Sequence, residues 1–167
     1  EESMSELRKD PISGRWMITA TRDEVDTPFG FINVRKEERE RDCAFCEGRE
    51  LETPSEAFAL RKEGSKPNTP GWTVRVIPSK FAVVELNEAV EKKGVGNFFF
   101  FDTINGYGTH EIVIESPLHI THISDLQLEQ IEKVLRVYQI RLRELKKNPF
   151  LKYGLIFRNQ GYGTDVS

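Results

Sequence analysis

His110-Glu111-Ile112-Val113-Ile114-Glu115, followed after a short loop by Ser124-Asp125 and an amphipathic run ending at Lys146-Lys147-Asn148-Pro149, decides the fold class. The first stretch is rich in β-branched residues and reads as a strand. In the second, Leu128, Ile131, Val134, Leu135, Tyr138 and Leu142 recur at helical spacing and mark one apolar face. Ser124 has N-cap chemistry with acids in the first turn. The two lysines suit the negative end of the helix dipole, and Asn148-Pro149 stops the helix.

Working outward, Trp72-Thr73-Val74-Arg75-Val76-Ile77 alternates as a strand does. Asp10-Pro11 and Ser13-Gly14 signal a turn, and Trp16 to Ala20 reads as the strand after it. Ala57 to Leu60 reads as a short strand, Phe98 to Phe101 as an aromatic strand edge, and Tyr153 to Phe157 as the last strand. Residues 23–42 are polar, charged and weakly patterned, which predicts a surface loop. Several strands, one long helix and a further strand, with no internal repeat, mean α+β with a mainly antiparallel sheet.

The 167 residues suit one domain, or half of a two-lobed protein. Such a length buries roughly 70% of its unfolded surface, so no disulfide is needed to fold it. The formal charge is −3, with both signs interspersed. That argues against a nucleic-acid surface, which would be basic. No apolar run approaches the roughly 20 residues of a membrane span, and the acidic opening Glu1-Glu2-Ser3-Met4-Ser5 is unlike a signal peptide. A cytoplasmic, reducing compartment is expected.

The two cysteines form one pair, Cys43-Ala44-Phe45-Cys46. In a reducing compartment a CxxC reads as a metal or redox motif before a structural disulfide. A redox pair would open a helix after a strand. Here a charged run, residues 35–42, precedes it, and Glu47-Gly48-Arg49 follows as a turn, which favours metal over redox, with a bystander pair as the remaining alternative. A structural zinc takes four ligands. The three histidines are His110, His119 and His122. His110, entering the strongest strand, is the expected third ligand. His119 and His122 read as loop residues, though their spacing also permits chelation. The loop Asn159-Gln160-Gly161-Tyr162-Gly163 offers backbone N–H groups that can cradle phosphate oxygens, or it is an ordinary turn. No serine has the context of a nucleophile elbow.

Ordered motifs along nearly the whole chain resemble the galactose-1-phosphate uridylyltransferases of the histidine-triad superfamily. They are Arg8-Lys9-Asp10-Pro11 with Gly14-Arg15-Trp16; Cys43-Ala44-Phe45-Cys46-Glu47-Gly48-Arg49-Glu50 with Thr53-Pro54; Trp72 to Phe81; Gly106 to Pro117; and Phe157-Arg158-Asn159-Gln160-Gly161. The resemblance implies a histidine-triad-like half of a two-lobed transferase, one N-terminal domain over 1–167. It implies zinc held by Cys43, Cys46 and His110. It implies a nucleotide pocket lined by Phe157, Asn159 and Gly161, with Ser167 near the phosphates. Ser79 stands where the family has asparagine at a ribose or base contact, and Arg22 where it has an arginine-rich segment. Asp165 replaces a small residue beside the phosphates.

The implied reaction moves a nucleoside monophosphate between sugar phosphates, as in UDP-glucose–hexose-1-phosphate uridylyl transfer, through a covalent histidine. That histidine belongs to a His-x-His-x-Gln motif expected just past Ser167, whose first histidine is the fourth zinc ligand. The chain alone is therefore expected to be inactive. The implied partners are a nucleotide sugar and a sugar 1-phosphate, without nucleic acid or membrane, and a homodimer is suggested. Two alternatives stand: a nucleoside-diphosphate-sugar phosphorylase of the ADP-glucose type, and a non-catalytic, zinc-stabilised nucleotide-binding module.

Overall fold

The structure, a computed structural model, describes residues 6–19, 43–86, 92–94, 102–120 and 122–158. It is α+β, as the pattern predicts. The chain divides into two compact units, residues 1–30 with 81–110, and residues 31–80 with 111–167. In the first unit, β1 (Glu6–Lys9) and β2 (Trp16–Thr19) form a hairpin across the expected Asp10 to Gly14 turn. The Asp10 carbonyl accepts the Gly14 N–H at 2.8 Å, and Gly14 takes φ +70°.

The second unit holds β3 (Phe58–Arg61), β4 (Trp72–Pro78), β7 (Glu111–Ile114) and helix α1 (Leu128–Leu145). In the first unit β5 (Lys92–Gly94) and β6 (Asp102–Asn105) complete an antiparallel sheet in the order β2-β1-β6-β5. In the second the antiparallel order is β3-β4-β7. Strands β1, β5 and β6 are too short and polar to stand out by alternation.

Central strand β4 is buried on both faces, and a bulge decides which face Trp72 joins. Leu60 pairs with Val74 and Arg61 with Trp72, so Thr73 is the extra residue. A strand alternates faces every residue, and one extra residue moves everything before it to the other face. Val74 and Val76 therefore pack on Val134 and Val137 of α1, with Phe58, Leu60, Val113 and Tyr138 around them. Trp72 instead joins Ile77 and Ile114 on the opposite face, against Phe45, Ala59 and Ile112. The Thr73 carbonyl, displaced from the ladder, accepts from Gln130 Nε2 at 2.7 Å, and the same amide donates to the Glu115 carbonyl at 2.7 Å. Arg141 clamps the Glu111 carboxylate in bidentate fashion, at 2.9 and 2.7 Å, fixing the helix to β7.

The helix differs from expectation in two ways. Ser124 does not cap it: Ile123–Asp125 form a separate 3-10 turn, and α1 starts after Gln127. Its fully buried face is Val134 and Val137, while Leu128, Leu135 and Leu142 are exposed. Residues 153–157, expected as the last strand, form no strand with any of the described residues. The stretches 23–42 and Phe98 to Phe101 lie outside the described residues. No described helix is long and apolar enough to cross a membrane.

Candidate metal centre

Cys43 to Arg49 fold as a tight double turn. The Cys43 carbonyl accepts the Cys46 N–H at 3.2 Å, and the Cys46 carbonyl accepts the Arg49 N–H at 3.3 Å. Gly48 closes the turn at φ +93°, a conformation that side chains with a Cβ resist. Two sulfurs are thereby presented from one short loop. The third donor comes from the loop leaving β7. Pro117 fixes that loop to the knuckle, its carbonyl accepting the Glu47 N–H at 3.0 Å.

Cys43, Cys46 and His119 offer donor atoms that all lie within 4.8 Å of one another, a group that could hold a metal ion. Cys46 Sγ stands 3.6 Å from His119 Nδ1. Zn–S of about 2.3 Å and Zn–N of about 2.05 Å at a tetrahedral angle put the two atoms about 3.6 Å apart. The donor chemistry and the spacing fit zinc. Burial raises the Cys46 thiol most, Cys43 pushes the same way and Arg49 opposes, so it sits at about 11 instead of an ordinary 9.0. A divalent cation between the donors inverts that preference, because a coordinating thiol is deprotonated outright.

The histidine gathered with the cysteines is His119; His110, expected in that role, is not in the group. The strand register gives the physical reason. β7 runs antiparallel to β4, with Glu111 opposite Pro78 and Ile114 opposite Arg75. The entrance of β7, which His110 precedes, thus lies beside the far end of β4. The knuckle packs at the near end, where Phe45 meets the Trp72 cluster. From Pro78 back to Trp72 is roughly 20 Å at about 3.3 Å per residue. The exit of β7, leading to Pro117 and His119, is the end that meets the knuckle. His110 Nδ1 is buried and has no hydrogen-bond partner among the described residues. His122 is exposed.

The knuckle is seated on β4 by two acids whose roles sequence reasoning did not assign. Glu47 Oε1 accepts the Gly71 N–H at 2.7 Å. Glu50, 4% exposed, accepts the Trp72 indole N–H at 2.7 Å and the Gly48 N–H at 3.0 Å on one oxygen. Burial alone would raise the Glu50 carboxyl, but these two donors and Arg75 outweigh it and hold the group below its ordinary value. Their only sequence signal was the run of acids flanking the cysteines.

Of the expected nucleotide contacts, Ser79 is half-buried just past β4 and Phe157 is exposed. Beside Phe157, Arg158 Nε meets Glu115 Oε2 at 3.2 Å. Arg22, Asn159, Gly161 and Ser167 lie outside the described residues, as does Asp165.

Residues 72–167 match the family profile described as galactose-1-phosphate uridyl transferase, N-terminal domain. ADP-glucose phosphorylase from Arabidopsis thaliana is 30% identical over 173 aligned positions, covering 100% of this chain and 46% of that protein. Galactose-1-phosphate uridylyltransferase from Thermotoga maritima is 27% identical, covering 98% of this chain and 43% of its own length. The crystal structure of an Arabidopsis thaliana ADP-glucose phosphorylase with bound ADP-glucose superposes with a TM-score of 0.51 at 27% identity, over 89% of this chain and 41% of that one. The chain spans about half the length of the curated relatives it matches. With the profile covering more than half of its residues, the chain belongs to the galactose-1-phosphate uridyl transferase family.

Proposed function

We propose that this chain is the N-terminal part of a nucleotidyltransferase that moves a nucleoside monophosphate between sugar phosphates. The observation that carries the reading is the family match over residues 72–167. The gathered Cys43, Cys46 and His119 support it from the geometry. In this reading the three donors hold a structural zinc, completed by a fourth ligand from the portion of the full-length protein beyond this chain. A closed four-ligand site leaves no open position for substrate, so its contribution is rigidity: the metal joins the knuckle to the loop leaving β7. The nucleophile, a histidine past Ser167, takes the nucleotidyl group and passes it to the acceptor, splitting one transfer into two. Such transfers depend on positioning and charge stabilisation. Arg22, Ser79, Phe157, Asn159, Gly161 and Ser167 are this chain's proposed substrate contacts.

A uridylyl donor is the first reading. A second is ADP-glucose phosphorolysis, favoured by the 30% identity to the phosphorylase against 27% to the uridylyltransferase. Full-length protein incubated with UDP-glucose or ADP-glucose, each labelled at the phosphate attached to the nucleoside, separates them. The donor that leaves label on a histidine is the substrate. Label from neither would overturn the transferase reading, and would leave a non-catalytic nucleotide-binding role.

A further inference from the structure

We infer that the Glu50 carboxylate, anchored on the Trp72 indole, is the positioning residue that shapes the Cys43 to Cys46 turn for metal. This rests on the metal reading above and concerns what holds the donors in register. Glu50 is buried, so its oxygens need partners. One oxygen takes both the Trp72 Nε1–H, at 2.7 Å, and the Gly48 N–H, at 3.0 Å. The Gly48 amide lies two residues past Cys46 in the turn that displays the sulfurs. Trp72 is itself 1% exposed and wedged with Ile77 and Ile114, with Phe45 of the knuckle packed against them. The other end of the residue is also held, because Arg75 Nη2 donates to the Glu50 carbonyl at 3.3 Å.

Strand β4 thereby serves both halves of the donor set. It carries Trp72, which fixes the knuckle through Glu50. It also pairs with β7, from whose last residue, Ile114, the chain runs five residues on to His119. A knuckle released from Glu50 would keep both thiols but lose their fixed distance from the imidazole. Groups that orient metal ligands typically change affinity by about 10–100-fold when removed.

The test is zinc affinity of the full-length protein, measured after chelator stripping by competition with a chromophoric chelator. Glu50→Ala is expected to weaken zinc at least about tenfold. Trp72→Phe keeps the ring and deletes the N–H, and is expected to weaken it in the same direction. Glu50→Gln keeps an acceptor oxygen within reach of both donors and should restore most of the affinity. Glu50→Asp, shorter by one methylene, should not. These two conservative variants, one isosteric and one shorter, decide the matter even where the alanine variant fails to fold. Zinc bound equally tightly by the Gln and Asp variants, or unchanged by Trp72→Phe while stability falls, would make Glu50 merely structural and overturn the inference. A parent protein that binds no zinc would overturn the metal reading as well.

Discussion

Replacing Arg75 by methionine removes a buried cation while keeping most of its aliphatic volume. Arg75 is 1% exposed and spends its donors on five acceptors. These are Glu56 Oε2 at 3.3 Å, Thr53 Oγ1 at 2.8 Å, the Glu50 and Pro54 carbonyls at 3.3 Å each, and Asn68 Oδ1 at 3.5 Å. Breaking a buried pair by deleting one partner costs about 3–5 kcal/mol, mostly because a charge is left buried and unpaired. Here Glu56 keeps Arg61, whose Nε donates at 2.9 Å and whose Nη2 also binds it. Thr53 keeps its own bond to the Glu50 carbonyl at 3.0 Å. The lower end applies, and Arg75→Met should cost about 3 kcal/mol. Urea unfolding followed by tryptophan fluorescence reads this directly, since buried Trp72 sits one bond from the network, through Glu50. The midpoint should fall with the slope unchanged. A loss under about 1 kcal/mol would refute the reasoning, showing the network to be no better than the apolar packing that can replace such pairs.

Cys43→Ser should lower the melting temperature of the metal-loaded full-length protein, because metal binding at a structural site is folding free energy. In a protein about twice this chain's length, a loss of about 2 kcal/mol corresponds to about 3 °C, and an unchanged melting temperature at full metal loading of the parent would contradict the assignment. Acid should destabilise the second unit through Glu50 and Glu56. Both carboxyls are held below the ordinary 4.5: burial raises each most, and their hydrogen bonds and the Arg61 and Arg75 charges outweigh it. The unfolded chain then binds more protons in that window. Their stabilisation is complete above the unfolded value and is lost as pH falls through the lower folded values. Melting temperatures taken between about pH 6 and pH 3 should drop, and less steeply in Glu56→Gln. An identical pH profile in that variant would remove Glu56 from the explanation.

Local pattern made several elements legible. The alternation in Trp72 to Ile77 and the β-branched run at Ile112 to Ile114 located β4 and β7, and helical spacing located α1. What pattern could not carry was anything set by pairing across strands. The bulge at Thr73 sends Trp72 to the face opposite Val74, which strict alternation forbids. The helix turns Val137 inward and Leu135 outward, in the same rotation that puts Arg141 on Glu111 and Gln130 on the bulge. The third donor follows the same logic. The cysteine pair was plain in the sequence, but choosing between His110 and His119 required knowing which end of β7 meets the knuckle. A signal was present: an antiparallel β4–β7 pair puts the exit of β7 at the start of β4, and Pro117 opens the loop there.

The sharpest measurement is zinc content per chain in full-length parent, His119→Ala and His110→Ala proteins after dialysis against a weak chelator. Loss of zinc in His119→Ala, with His110→Ala retaining the parent's content, is the expected result, since among the described residues it is His119 that shares a donor group with Cys43 and Cys46. Zinc retained in His119→Ala and lost in His110→Ala would contradict it.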